Sequence, residues 1–98
     1  MAKKRLVVNG FKDITWREYR EYSKVLREIA PGEEDQLSLD EMNSKFLVAA
    51  VRVGIVDGIP KNEEFKEEDL DDYLAHDVIL AAEKATDNYT SLRTPDPN

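Results

Sequence analysis

The sequence predicts a mainly α-helical fold, with a short N-terminal β-hairpin followed by three main helices in one small domain. Two segments carry complete helix-start signatures, at residues 15–18 and 38–41. A third segment, which starts between Asp69 and Ala75 and ends near Ser91, repeats apolar residues at helical spacing. The 98 residues leave room for one domain. We place it at residues 1–92 and expect residues 93–98, which include two prolines, to form a disordered tail.

The stretch Leu37–Val56 is predicted to be the central helix against which the other elements pack, because it holds the densest apolar run in the chain. Ser38 suits the N-cap position, and Glu41 three residues later completes a capping box. Leu37 can form a hydrophobic staple with Met42. A strand is the alternative, since several residues of the stretch are β-branched. Length, caps and the lack of alternation favour the helix.

The N-terminal hairpin is predicted from two short apolar segments, Leu6–Val8 and Phe11–Ile14, which flank Asn9 and Gly10. Asn-Gly is the preferred pair for a type I′ turn, in which both central residues have positive φ. Two strands alone are marginally stable in water, so this hairpin must pack against the helices. The basic cluster at residues 3–5 is expected to be a solvated, frayed terminus.

The first helix is predicted to begin after Thr15, because Thr15 and Glu18 match a capping box and Ile14 can staple to Tyr19. It should run to about Ala30 and stop at the following Pro-Gly pair. One half of this helix is apolar and the other half is charged. The apolar half comprises Trp16, Tyr19, Tyr22, Val25, Leu26, Ile29 and Ala30.

The segment Lys61–Asp72 is rich in acidic residues and reads as a solvated loop. Phe65 and Leu70 are its only apolar anchors, and one short helical turn within it remains possible. In the last helix, one face is predicted to pack inward. That face comprises Leu74, Val78, Ala81, Ala82, Ala85, Tyr89 and Leu92.

Composition restricts the possible functions. The formal net charge is −7, so phosphate backbones repel the chain and nucleic-acid binding is not expected. No apolar run is long enough to suggest a membrane span. Cysteine is absent, which excludes disulfides and Cys-ligated metals. We therefore expect neither nucleic acid nor membrane among the partners.

The residues that catalysis or metal binding would need do not form a recognisable pattern. His76 is the only histidine, and although Asp72 and Asp77 are near it, zinc sites usually use more nitrogen or sulfur ligands. The two glycines in the segment 53–58 do not match a phosphate-binding motif. The serines have no neighbouring base in the sequence. We expect no enzyme activity, no metal and no cofactor.

Three residues are candidate partner contacts: Trp16, Val25 and Leu80. Trp16 and Val25 flank the apolar half of the first helix, which is wider than one packing seam requires. Leu80 is the large apolar residue on the polar face of the last helix. The alternatives are that Trp16 covers the hairpin and that Leu80 is an ordinary exposed leucine.

Three stretches together resemble the small tail assembly chaperones of long-tailed bacteriophages, in their short form. They are the strand pair leading into Thr15–Arg20, the apolar run Phe46–Val53, and Asp69–Val78 before the final helix. The resemblance rests on the order, size and acidity of these segments rather than on a diagnostic motif.

The resemblance implies a non-enzymatic protein that binds the phage tape measure protein and keeps it soluble during tail tube assembly, with the tail tube protein as a second candidate partner. It also implies a location in the host cytoplasm and absence from the mature virion. A homo-oligomer is possible. Two alternatives remain open: a small acidic DNA mimic that inhibits a host nucleic-acid-binding protein, and a structural tail or connector component.

Overall fold

The computed structural model describes residues 4–29 and 39–93. The predicted fold class is confirmed: the chain is mainly helical, with a small antiparallel sheet and three main helices in one small domain. In chain order the elements are β1 (Gly10–Phe11), α1 (Trp16–Ile29), α2 (Leu39–Val53), β2 (Val56–Asp57), a 3-10 helix (Glu67–Leu70) and α3 (Ala75–Arg93).

Helix α2 is the centre of the fold, as predicted, because it packs against both α1 and α3. Its residues Leu47–Val51 are almost completely buried. On α3, the buried residues Ala81, Ala82 and Ala85 are small, which allows two helices to approach closely. Ser38 and Leu37, which the predicted capping box and staple of α2 require, lie outside the described residues.

Helix α2 ends at Val53, so the predicted continuation to Val56 is wrong. Gly54 has a φ of +77°, a left-handed conformation that glycine adopts without steric cost. The N–H of Gly54 donates to the carbonyl of Val51, and the N–H of Ile55 donates to that of Ala50. This pair of hydrogen bonds is a Schellman motif, which terminates the helix and turns the chain into β2.

The strand pairing also differs from the prediction. β1 pairs with β2, with Gly10 opposite Asp57 and Phe11 opposite Val56, and not with another N-terminal segment. A type I′ turn needs a positive φ at Asn9, but no non-glycine residue described has one. Asn9 N–H instead donates to the carbonyl of Asp57 at 2.9 Å. The Asn-Gly pair therefore lies in an extended segment, and its partner is β2, the strand that follows the end of α2.

The capping box that begins α1 is confirmed. The N–H of Thr15 donates to Glu18 Oε1 at 2.9 Å, and the N–H of Glu18 donates to Thr15 Oγ1 at 3.3 Å. These hydrogen bonds also hold the pKa of Glu18 below its ordinary value. Ile14 and Tyr19, the predicted staple, are both half-buried and line the same surface cleft. The predicted stop at residues 30–32 lies outside the described residues.

The acidic segment is more ordered than a solvated loop. Phe65 and Leu70 are buried, as expected of its anchors, and the short helical turn left open by the sequence is present at Glu67–Leu70. Arg52 Nε donates to the carbonyl of Phe65 at 2.6 Å. Glu67 pairs with Lys45 at 3.2 Å and so ties the 3-10 helix to α2.

The N-terminal segment is held in place from Lys4 onward, which corrects the expectation of a frayed terminus. The N–H of Lys4 donates to the carbonyl of Asp72 at 3.0 Å, and the N–H of Leu74 donates to the carbonyl of Lys4 at 2.9 Å. Arg5 forms a salt bridge with Asp77. The start of the chain therefore lies against the start of α3.

Candidate functional site

Trp16 is the most exposed large apolar side chain in the described part of the chain, at 69%. It is the first residue of α1. Its ring stacks on Tyr19, with centroids 5.5 Å apart and ring planes 20° apart. Tyr19 stacks in turn on Tyr89 of α3, at 5.8 Å and 18°. The exposed indole is therefore one end of a three-ring stack that joins two helices.

The inner end of this stack is anchored in the core. Tyr89 meets the ring of Tyr22 edge-on and that of Phe46 at a tilt, both at 5.1 Å between centroids. Its hydroxyl lies 3.0 Å from Ser23 Oγ. Tyr22 donates its hydroxyl proton to the carbonyl of Phe46 at 3.2 Å, and burial raises its pKa so that the phenol stays protonated. Contacts on several sides thus fix the ring that supports Tyr19 and Trp16.

An open cleft of about 490 Å³ lies beside the stack, and we call it the aromatic cleft. Leu92, near the end of α3, is 40% exposed and provides a further apolar wall. The start of α1 and the end of α3 thus form one apolar surface. The lining residues of the aromatic cleft are Ile14, Thr15, Trp16, Tyr19 and Leu92.

The structure does not bring the three predicted contact residues together. Trp16 lines the aromatic cleft, and its exposure shows that the alternative, in which it covers a hairpin, is wrong. Val25 is half-buried against the core in a separate cleft beside Arg52, which corrects the expectation that it stays exposed. Leu80 is 44% exposed on α3 and lines neither cleft. As contacts, all three remain predictions.

Sequence reasoning placed Tyr89 and Leu92 on the packing face of α3 and missed their part in this surface. Helical spacing assigns Leu92 inward, but this residue lies one position before the end of α3 and is 40% exposed. The sequence signal for this surface was the presence of several tyrosines together with Trp16. Tyrosine has an apolar ring with a polar tip, and it often lies at partly buried surfaces.

Two of the polar residues considered for catalysis or metal binding, Asp77 and Ser44, make structural contacts. Asp77 binds Arg5 and the N–H of Leu6, while His76 is exposed beside it. Ser44 Oγ lies 2.8 Å from the carbonyl oxygen of Glu41 and 2.8 Å from Glu67 Oε1, and its single proton can be donated to either acceptor. Within residues 4–29 and 39–93, no group of three or more His, Cys, Asp or Glu side chains is placed to hold a metal ion.

No helix in the described part of the chain combines the length and the apolar character needed to cross a bilayer. Comparisons of the chain with protein-family models, curated proteins and solved structures give no match. The aromatic cleft, with its anchored stack of rings, is the surface whose geometry best suits a binding function.

Proposed function

We propose that this chain is a non-enzymatic tail assembly chaperone, which binds the tape measure protein of a long-tailed phage and keeps it soluble during tail tube assembly. The observation that supports this proposal is the exposed ring of Trp16, held by its stacking on Tyr19. Tryptophan and tyrosine are enriched among the few residues that contribute most of the binding energy at protein interfaces. A ring that is already held in place loses little conformational entropy on binding.

The mode of binding follows from the shape of the aromatic cleft. A tape measure protein is a long helical chain with apolar stripes, and an amphipathic helix binds by laying its apolar face into an apolar groove. Trp16 and Leu92 lie at the ends of different helices, so a bound helix would contact both α1 and α3. The few side chains of the cleft form a small contact surface, which suits reversible capture and release.

The charge of the chain suits the same role. A net charge of −7 keeps copies of the protein apart, and it also keeps a complex with an apolar partner in solution. Acidic residues do not line the aromatic cleft itself. The apolar contact and the solubilising charge are thus separated on the surface.

Co-expression with the tape measure protein tests the proposal. Trp16→Ser removes the exposed ring, and we expect the tape measure protein to move into the insoluble fraction. Val7→Ser is the matched control, because Val7 is an apolar side chain that is 62% exposed and does not line the aromatic cleft. A thermal melt of each variant establishes that it is folded. A tape measure protein that stays equally soluble with Trp16→Ser would refute the proposed contact.

The two alternative functions give different results in related experiments. A structural tail or connector component would be found by mass spectrometry of purified virions, whereas a chaperone would be absent from them. If the chain were an inhibitor that mimics DNA, a pull-down with it would recover a host nuclease or repressor instead of a long helical protein. Ion pairing of Glu67 with Lys45 weighs against the mimic, because it reduces the free negative charge of the acidic segment.

A further inference from the structure

We propose that the chain has a second docking surface, which binds a basic amphipathic helix in a groove between α2, the 3-10 helix and α3. This acidic groove has a volume of about 430 Å³. It shares no lining residue with the aromatic cleft. The residues that line it are Glu41, Ser44, Glu67, Leu70, Asp71, Tyr73, Ala75, Val78 and Ile79.

The floor of the acidic groove is apolar. Leu70 is buried, while Tyr73 and Val78 are half-buried and pack against the core. Ile79 is 40% exposed and adds apolar area to the groove. Such a floor is suited to the apolar stripe of a helix.

The rim of the acidic groove is negatively charged. Glu41, Glu67 and Asp71 line it, and no Lys, Arg or His is among its nine lining residues. Lys45 pairs with Glu67, and Lys4 Nζ lies 5.8 Å from the centre of the Tyr73 ring. Lys45 therefore balances the charge of Glu67, and Asp71 is the rim carboxylate that we expect a cation of the partner to meet.

This combination of apolar floor and acidic rim selects the chemistry of the occupant. A helix with leucine-like residues on one face and lysine or arginine beside them would bury its stripe and place its cations at the rim. An acidic amphipathic helix would be repelled by the same rim. The inference goes beyond the proposed function, because it concerns a separate surface and holds whether or not the partner is a tape measure protein.

A titration with designed peptides tests this inference. The probe is a helical peptide of leucine and lysine, roughly 18 residues or five turns long, with leucine at helical spacing. The comparison peptide carries glutamate in place of lysine. We expect the lysine peptide to bind the full chain and the glutamate peptide not to bind. The double variant Asp71→Asn with Ile79→Ser should weaken binding at least about fivefold, because it removes one rim charge and one apolar contact.

The matched control is the double variant Glu64→Gln with Val7→Ser. It also removes one acidic charge and one exposed aliphatic side chain, but neither residue lines the acidic groove. We expect its affinity for the lysine peptide to stay within about twofold of the unchanged chain. Equal weakening in the two double variants would mean general attraction to an acidic protein and would overturn the inference.

Three further outcomes would overturn it. One is failure of the lysine peptide to bind the unchanged chain. Another is loss of peptide binding in Trp16→Ser, which would assign the peptide to the aromatic cleft. The last is self-association of the chain that Asp71→Asn with Ile79→Ser abolishes, which would make a second copy the occupant. The tape measure assay tests the aromatic cleft and the peptide titration tests the acidic groove. Failure of the proposed function can therefore be distinguished from failure of this inference.

Discussion

The guanidinium of Arg5 donates two hydrogen bonds to the carboxylate of Asp77, which lies 72 positions away in the chain. The shorter one, from Nε, is 2.7 Å long. The same carboxylate accepts a third hydrogen bond, at 3.0 Å, from the N–H of Leu6. Asp77 is 8% exposed and lies in the first turn of α3, where the helix dipole also favours negative charge. One side chain thus attaches the N-terminal segment to the last helix.

This carboxylate should make stability depend on pH. The hydrogen bonds from Arg5 and then from Leu6 hold the pKa of Asp77 below its ordinary value in the folded state. A carboxyl with a depressed folded-state pKa stabilises the fold above its unfolded pKa, and this contribution is lost as the pH falls through the folded-state pKa. Asp77→Asn should therefore lower the urea midpoint at neutral pH.

The difference between Asp77→Asn and the unchanged chain should narrow as the pH falls below about 4, the ordinary value for Asp. Urea melts over a pH series measure this difference. Asp13→Asn is the control, because Asp13 is an exposed aspartate. If the urea midpoints of Asp77→Asn and the unchanged chain differed by the same amount at every pH, the stabilising role assigned to the Asp77 charge would be contradicted.

The capping boxes give a second prediction. Thr15→Ala should destabilise the chain by about 0.5–2 kcal/mol, because it removes the hydroxyl that accepts the N–H of Glu18. Ser38→Ala should have an effect of similar size, about 0.5–2 kcal/mol, if Ser38 caps α2. The urea midpoint is the measurement. Thr15→Ser keeps the hydroxyl and should keep most of the stability. An unchanged urea midpoint in either alanine variant would show that the replaced residue does not cap its helix.

Gly54 gives a third prediction. A Cβ added at Gly54 would lie 2.7 Å from Lys61 Cβ, and the positive φ is itself unfavourable for alanine. Gly54→Ala should therefore destabilise the chain by more than about 1 kcal/mol. In the Lys61→Gly background the clash is absent, and the cost of Gly54→Ala should fall to that of the backbone conformation. An equal cost in both backgrounds would show that the clash is relieved by other movements.

Amide hydrogen exchange should distinguish ordered from mobile residues within the acidic segment. The sequence predicts mobility from Glu63 to Asp69, and the hydrogen bonds refine this expectation. The N–H of Asn62 donates to Val51 and that of Phe65 donates to Asn62, so these two amides should exchange slowly. We expect faster exchange at Glu67 and Glu68. Strong protection of these two amides would contradict the predicted mobility.

Val25 and Leu80 should respond differently to a charge. Leu80→Asp should stay within about 0.5 kcal/mol of the unchanged chain, because Leu80 is exposed. Val25→Asp should cost about 1–3 kcal/mol, because Val25 packs against the core and its replacement would bury part of a carboxylate. Thermal melts of both variants measure this contrast. Similar melting temperatures would show that Val25 is free to turn outward.

The helices and their buried faces could be predicted from the sequence because the determining interactions are local. Thr15 and Glu18 are three residues apart, and their reciprocal hydrogen bonds form within one turn. The apolar spacing of α2 and α3 likewise identified the buried residues, including Leu47 and Ala85. These features depend on residues three or four positions apart, which any helical segment brings together.

Only the tertiary structure decided the contacts between distant segments. Gly10 pairs with Asp57 because the glycine turn at Gly54 directs β2 along the N-terminal segment, and the Asn-Gly pair alone favoured a local turn. The aromatic cleft exists because the start of α1 and the end of α3 meet beside α2. Local periodicity specifies which side of a helix is apolar, but the packing of three helices determines which apolar residues, such as Trp16, are left uncovered.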